Sequence, residues 1–445
     1  MMKNDYLVQK KPLSALGIFA LPIIIGNFFQ QMYTMADSAI VGRFVGEQAL
    51  AAVGASYSLT NVFICVAIGG GIGASVVVSR YFGAKDYSKM KISVFTALIS
   101  FLIISIILGG AGLLFSRKIM ILLNTPEDVL DMAVTYLNIY FMGLPFLFMY
   151  NVLSSMFNAL GKSRIPLVFL IFSSVLNIVL DVFMVTGLDM GVSGVAWATL
   201  IAQGISAVLS FVVFLRVIKG LNSEFGGFFD KSEFLDMSRI ALPSILQQST
   251  VSIGMMLVQS VVNSFGYQTL AGFSAAMRVE SICIVPMMGI GNAVSSYTAQ
   301  NIGAGKKERV KEGYRAANIM VIFCAVIICV VLEIFNSDII ELFLGDEGTA
   351  EAVATGCGYL KYMGWFFCLI GFKMAVDGLL RGAGDMKMFT VANMVNLAIR
   401  VIASMTLAPR FGIAMVWCTV PVGWFVNWAI SFTEYKTGKW KRIYN

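Results

Sequence analysis

The chain has 445 residues, 58% of them hydrophobic and only 13% charged, against roughly 45–50% and 25% in an ordinary soluble domain. That balance predicts an all-α integral membrane protein with no soluble domain left over. Histidine is absent, which excludes HExxH zinc sites, Ser-His-Asp triads and imidazole proton relays, so only Asp, Glu, Lys, Tyr or Cys can titrate. The net charge of +7 does not point to nucleic acid, because of where the charges fall.

Apolar stretches long enough, at 1.5 Å per residue, to cross about 30 Å of hydrocarbon recur twelve times. Their approximate limits are 14–40, 50–79, 91–115, 129–158, 164–187, 191–217, 234–264, 271–300, 313–334, 351–380, 388–408 and 412–435. The opening MMKNDYLVQKKPLSALG lacks the basic head, short apolar core and small-residue exit of a cleavable signal, so the first span is expected to be retained. Lys3, Lys10 and Lys11 precede it, and Arg80, Lys85, Lys89 and Lys91 follow the second span. Continued through every second loop to Lys436, Lys439, Lys441 and Arg442, that side collects 24 of the 32 basic residues, whereas the alternate loops hold Arg43, Arg117, Lys118 and Arg410. The bias predicts that both termini are cytoplasmic. Seven cysteines without a CxxC pair read as reduced, buried small residues.

An internal repeat is visible at a spacing of about 220 residues: Leu21-Pro22 recurs as Leu242-Pro243, Gly161 as Gly384, and Trp197-x-Thr199 as Trp417-x-Thr419. The expected organisation is two pseudo-symmetric six-helix bundles, 1–218 and 233–445, joined by a cytoplasmic linker over 219–232 and related by an axis along the membrane normal, with a cleft between them. Pro22 and Pro243 each free a backbone carbonyl and permit a kink, and Pro22 is the candidate hinge. The glycine run Gly69 to Ser75 lacks the lysine and preceding strand of a phosphate loop and reads as close helix packing.

Within the first half, the first span sets Gln30, Thr34 and Asp37 on one helical stripe, the fifth Ser174, Asn177 and Asp181, and the sixth Thr199, Gln203 and Ser206. A carboxylate at the centre of a membrane helix costs roughly 2.5–3.5 kcal/mol on insertion scales, so it is expected to face protein, water or an ion. If these stripes meet, Asp37, Asn177, Asp181 and Thr199 surround a small cation with hard oxygen ligands suited to Na⁺ or a proton. The second half does not repeat the set: Asn177 falls on Arg400 and Asp181 on Ser404, and only Thr199 has its counterpart, Thr419. Glu280 in the eighth span is either a coupling or substrate-binding carboxylate or a structural ion pair with another span. Lys373, Asp377 and Arg381 form an i,i+4 ladder that can neutralise itself or contact a ligand. Gln30, Tyr136, Glu280 and Asp377 are the candidates for a substrate or second coupling site.

Twelve spans in two halves, Pro22 fifteen residues before Asp37, Asn177-x-x-x-Asp181, and Thr199 eighteen residues later together resemble the multidrug and toxic compound extrusion (MATE) family over essentially the whole chain. The resemblance implies a V-shaped fold, a cation site in the N-terminal lobe, no enzyme activity, no cofactor, and export of amphipathic cations by antiport with Na⁺ or H⁺. Thr250 stands where some members carry an acid after the Leu-Pro of the seventh helix, which puts a C-lobe sodium site of that kind in doubt. The expected protein is a monomeric, multi-pass exporter of the bacterial plasma membrane, contacting lipid and small-molecule substrates. Alternatives are a flippase or exporter of a lipid-linked or metabolic substrate, a passive channel, and an intramembrane aspartyl protease prompted by Gly382-Ala383-Gly384-Asp385.

Overall fold

The computed structural model describes residues 5–221, 223, 226–345 and 349–441. Lys3 and Arg442 of the basic flanks, and positions 222, 224 and 225 of the expected linker, lie outside them. Among the described residues the structure is helical, with no strand. A one-turn helix, α1 (Tyr6–Gln9), precedes α2 (Pro12–Ile40), α3 (Glu47–Ala84), α4 (Tyr87–Leu122), α5 (Glu127–Ala159), α6 (Arg164–Val182), α7 (Gly191–Lys219) and α8 (Lys231–Asn263). Then come α9 (Tyr267–Gly303), α10 (Lys307–Leu344), α11 (Ala350–Gly364), α12 (Phe367–Gly382), α13 (Met386–Phe411) and α14 (Ala414–Thr437). Among the described residues eleven helices are long and apolar enough to cross a membrane, and the pair α11 and α12 makes a twelfth span if the two are counted as one. The chain is a multi-pass membrane protein.

That twelfth span differs from the continuous 351–380 helix read from the sequence, being bent by 53°. Gly364 ends α11, and the next bonds are three-residue ones, Phe366 N–H to the Met363 carbonyl and Leu369 N–H to that of Phe366, both 2.9 Å. A glycine backed by a tightened turn is an ordinary cause of a kink. The cysteines are all free, but only Cys65 is buried and the other six are half-buried, because a helix flank in a membrane need not be covered by protein.

The chain packs as two compact units, 25–245 and 1–24 with 246–445. Their limits fall two residues beyond Pro22 and Pro243, so α2 and α8 are each divided between units. Glycines explain the packing. In the 25–245 unit, a Cβ on Gly69 of α3 would lie 2.6 Å from Ile245 Cα, and one on Gly73 would lie 2.5 Å from the Ala241 nitrogen of α8. In the other unit Gly289 of α9 faces α2, where a Cβ would stand 3.3 Å from Ile24 Cα. Small residues let helix backbones approach where no hydrophobic drive exists between helices.

In the 25–245 unit α5 is central: Ala133, Leu137, Phe141, Leu144 and Phe148, at helical spacing, pack with Ala52 and Ala67 of α3 and Met120 of α4. The linker is docked on α4. Lys91 Nζ donates to the carbonyls of Leu221 (2.8 Å) and Ser223 (3.2 Å), Asp230 N–H to Thr96 Oγ1 (3.0 Å), and Phe228 meets Phe95 edge-on. Glu233, at the start of α8, accepts from Tyr81 Oη and Ser93 Oγ, each at 2.7 Å. In the other unit the N-terminal segment is tied to the loop before α10: Arg309 Nη2 donates to the Lys10 carbonyl (2.6 Å) and Asn301 Nδ2 to that of Leu7 (3.2 Å). The repeat shows in the backbone as well: Gly161 and Gly384 occupy matching left-handed turns, with φ of 72° and 76°.

Candidate functional site

The fifth expected span, α6, turns its polar stripe inward. Its buried residues are Ser174, Asn177 and Asp181, while Val175, Val179 and Val182 are exposed. That inversion of the soluble pattern suits a helix whose outer face meets lipid. Asp181 is fully buried. The Asn177 amide is oriented by its partners: its nitrogen donates to Asp181 Oδ2 (2.8 Å), and its oxygen accepts from the Thr199 hydroxyl (3.2 Å) and backbone N–H (3.1 Å) of α7. The reverse orientation would set oxygen against carboxylate.

Asp37 of α2 completes the cluster, its carboxyl within hydrogen-bonding reach of that of Asp181. Oδ1 of each acid is buried without a hydrogen-bond partner among the described residues. Two ionised carboxylates in contact repel and need a positive partner between them, a proton or a cation. The donors at hand, two carboxylates, an amide and a hydroxyl, are all oxygens that suit a hard monovalent ion.

Three neighbours finish the pocket. Tyr33, one turn before Asp37, stands near Thr199 and both acids, and Tyr136 of α5 stands near both acids too. Each of the two acid-bearing helices ends in a π-helical turn, Val41–Val45 after α2 and Phe183–Gly187 after α6, and these turns pack on one another. Val41 and Val185 join Ala49, Val192 and Val195 in an apolar cluster that Tyr136 packs against. A crevice lined by Tyr136, Tyr140, Gly143, Leu147, Thr199 and Gln203 adjoins Thr199. Tyr33 was legible from its i,i+4 spacing to Asp37 but reads as an ordinary aromatic; the π turns carry no comparable signal.

The structure thus brings Asp37, Asn177, Asp181, Thr199 and Tyr136 together. Gln30 is not among them: it and Thr34 are exposed, and Thr34 Oγ1 donates to the Gln30 carbonyl (2.9 Å). Pro22 is buried inside α2, away from the acids. Glu280 and Asp377 belong to the other unit. Glu280, 3% exposed, accepts from the Tyr359 hydroxyl of α11 and feels the charge of Arg400 on α13. Asp377 pairs with Lys373 at 3.0 Å, both almost wholly buried, and accepts from Ser431 Oγ (2.9 Å) and Asn393 Nδ2 (3.3 Å). The ladder stops there, because Arg381 turns to Asn292 Oδ1 of α9 (2.9 Å).

The sequence pattern of the MatE family matches residues 22–183 and 243–406, each copy starting at a proline of the repeat. The chain is 32% identical over 447 residues to the probable multidrug resistance protein YpnP of Bacillus subtilis, covering 99% of both chains. It is 24% identical to an FAD transporter of Shewanella oneidensis over 79% of this chain and 78% of that one. Among solved structures, an outward-facing multidrug resistance MATE family transporter of the MOP superfamily superposes with a TM-score of 0.90 at 22% identity, covering 100% of this chain and 99% of that one. With both repeats matched by the family pattern and a relative aligned end to end, the chain belongs to the MatE family, the multidrug and toxic compound extrusion transporters, which are carriers and not enzymes.

Proposed function

We propose that the protein is a multidrug exporter that moves amphipathic cations out of the cell in exchange for Na⁺ or H⁺, by alternating access. The observation that carries the reading is the approach of Asp37 to Asp181 inside the bundle, each with an oxygen lacking a partner among the described residues. In this scheme an entering cation settles among Asp37, Asn177, Asp181 and Thr199 and neutralises the two carboxylates. Tyr33 and Tyr136 hold the pocket's shape, and drug release follows from that neutralisation. The halves 1–218 and 233–445, joined by 219–232, are the moving parts, with Pro22 as a hinge in α2. Gln30 and Tyr136 are offered as substrate contacts. Expelling a monovalent cation against about 100 mV costs about 2.3 kcal/mol, and one entering ion returns the same, so one-for-one exchange concentrates by the ion's chemical gradient alone. The protein acts as a monomer in the bacterial plasma membrane with both termini in the cytoplasm, as the basic flanks favour.

The test is ethidium transport by proteoliposomes under separately imposed sodium and pH gradients. Transport is expected to follow one of the gradients in the wild type and to lose that dependence in Asp37→Asn; gradient-driven transport that survives the substitution sinks the coupling scheme. A second reading, export of a metabolic or lipid-linked substrate, draws support from the relative named an FAD transporter. The same liposomes loaded with FAD discriminate the two.

A further inference from the structure

The two copies of the family pattern end at 183 and 406, an offset of 223. Asn177 therefore corresponds to Arg400 and Asp181 to Ser404, while Trp197-x-Thr199 matches Trp417-x-Thr419 at an offset of 220. The local geometry agrees. Ser404 Oγ and Thr419 Oγ1 are hydrogen-bonded at 3.0 Å, so α13 and α14 meet through the counterparts of Asp181 and Thr199. The carboxylate of the first copy is gone, and one helical turn away stands a guanidinium.

The surroundings are built for that guanidinium. A Cβ on Gly423 of α14 would lie 3.0 Å from Arg400 Cγ and collide with Asn396 Oδ1, so the missing side chain makes the room. Among the described residues, buried Arg400 Nε has no hydrogen-bond partner. Asn396, one turn before it and 8% exposed, also leaves its Oδ1 without one among them. The counter-charge is Glu280 on α9, held by the Tyr359 hydroxyl, with the Tyr359 ring edge-on to Trp417 at 5.8 Å. The counterpart of Glu280 in the first copy is Thr60. The second copy therefore differs by two charges of opposite sign that lie within electrostatic reach of each other.

We propose that Arg400 is a tethered cation: it fills permanently, with Glu280 as its counter-ion, the place in the second repeat that Asp37, Asn177 and Asp181 leave to an exchangeable cation in the first. The transporter then carries one exchangeable cation site instead of two. This rests on the reading of the first pocket as a cation site, and the two are tested separately.

Binding of radiolabelled sodium to the purified protein in mildly alkaline buffer, with potentiometric proton titration alongside, counts the exchangeable cations per chain. The wild type is expected to bind one, lost in Asp181→Asn. Arg400→Gln is expected to gain one more, as sodium or as a proton, lost again in Arg400→Gln/Glu280→Gln, while Arg400→Lys matches the wild type. An unchanged count in Arg400→Gln, or a gained ion in Arg400→Lys, overturns the proposal. Should Arg400→Gln fail to fold, Asp181→Asn against Asp181→Asn/Glu280→Gln decides: a cation bound by the first and missing from the second overturns it, and no such cation upholds it. A wild-type cation indifferent to Asp181→Asn instead sinks the first pocket and leaves the Arg400 counts to be read on their own.

Discussion

The two units solve the same problem, acids buried in a membrane bundle, in opposite ways. In the 25–245 unit Asp37 and Asp181 touch each other, and among the described residues neither has a lysine or arginine as ion-pair partner. In the other unit Asp377 is ion-paired with Lys373, and Glu280 lies within electrostatic reach of Arg400. On the proposed function, charge balance in the first unit depends on a cation that comes and goes, whereas in the second Lys373 is part of the chain beside Asp377. An exchanger of that kind needs the first arrangement once; a second open pocket would change its stoichiometry.

The largest expected effect comes from unbalancing the matched unit. Lys373→Met leaves Asp377 as an unpaired buried charge and is expected to cost about 3–5 kcal/mol, seen as a lower thermal unfolding temperature in detergent. Lys373→Met/Asp377→Leu should recover most of it, since replacing a whole buried pair by apolar groups is often near neutral; no recovery would mean that the pair is not self-contained.

The comparison is sharpened next by paired substitutions at corresponding positions. Asp181→Asn is expected to reduce gradient-driven ethidium transport more than about tenfold, which about 1.4 kcal/mol of lost ion binding produces, whereas Ser404→Ala should stay within about twofold. Equal losses would erase the asymmetry. Glu233→Gln comes third. It weakens two hydrogen bonds from Tyr81 and Ser93 that hold the start of α8 to α3 and α4, a loss on the order of 1 kcal/mol in thermal stability, with sodium dependence unchanged.

The smallest effect concerns Asp385, at the loop before α13, whose Oδ2 lacks a partner among the described residues. Burial and the nearby Glu434 push its carboxyl up from 3.8 to about 6, against the pull of Lys439. Because the folded value is raised, the native state holds the extra proton, and its stabilising contribution is lost as pH rises from about 4 to 6. Asp385→Asn should flatten that slope in a melting-temperature profile and match the wild type at the acid end.

The acid pocket was legible because Ser174, Asn177 and Asp181 share one helical face, and polar residues at that spacing have few reasons to interrupt an apolar span. The same rule put Gln30 and Thr34 on one stripe with Asp37, and there the structure leaves Gln30 and Thr34 exposed outside the acid cluster. Spacing says which residues share a face of α2, not which neighbour covers that face at each height. The bend at Gly364 escaped for a related reason, since 351–380 is apolar enough to read as one span and hydropathy does not register a change of direction. The linker, with its Gly, Phe and charge, reads as a tether. Its anchors, Lys91 and Phe95, lie more than a hundred residues upstream, where no local pattern connects them.

The division of α2 and α8 just past their prolines has a consequence for ancestry. A half-length forebear folded this way could not have completed its own bundle, because the opening segment of each repeat packs in the unit formed mainly by the other. Such a forebear would have traded arms between two copies, a low-cost route to a dimer, and fusion of the duplicated gene would have made that exchange permanent within one polypeptide.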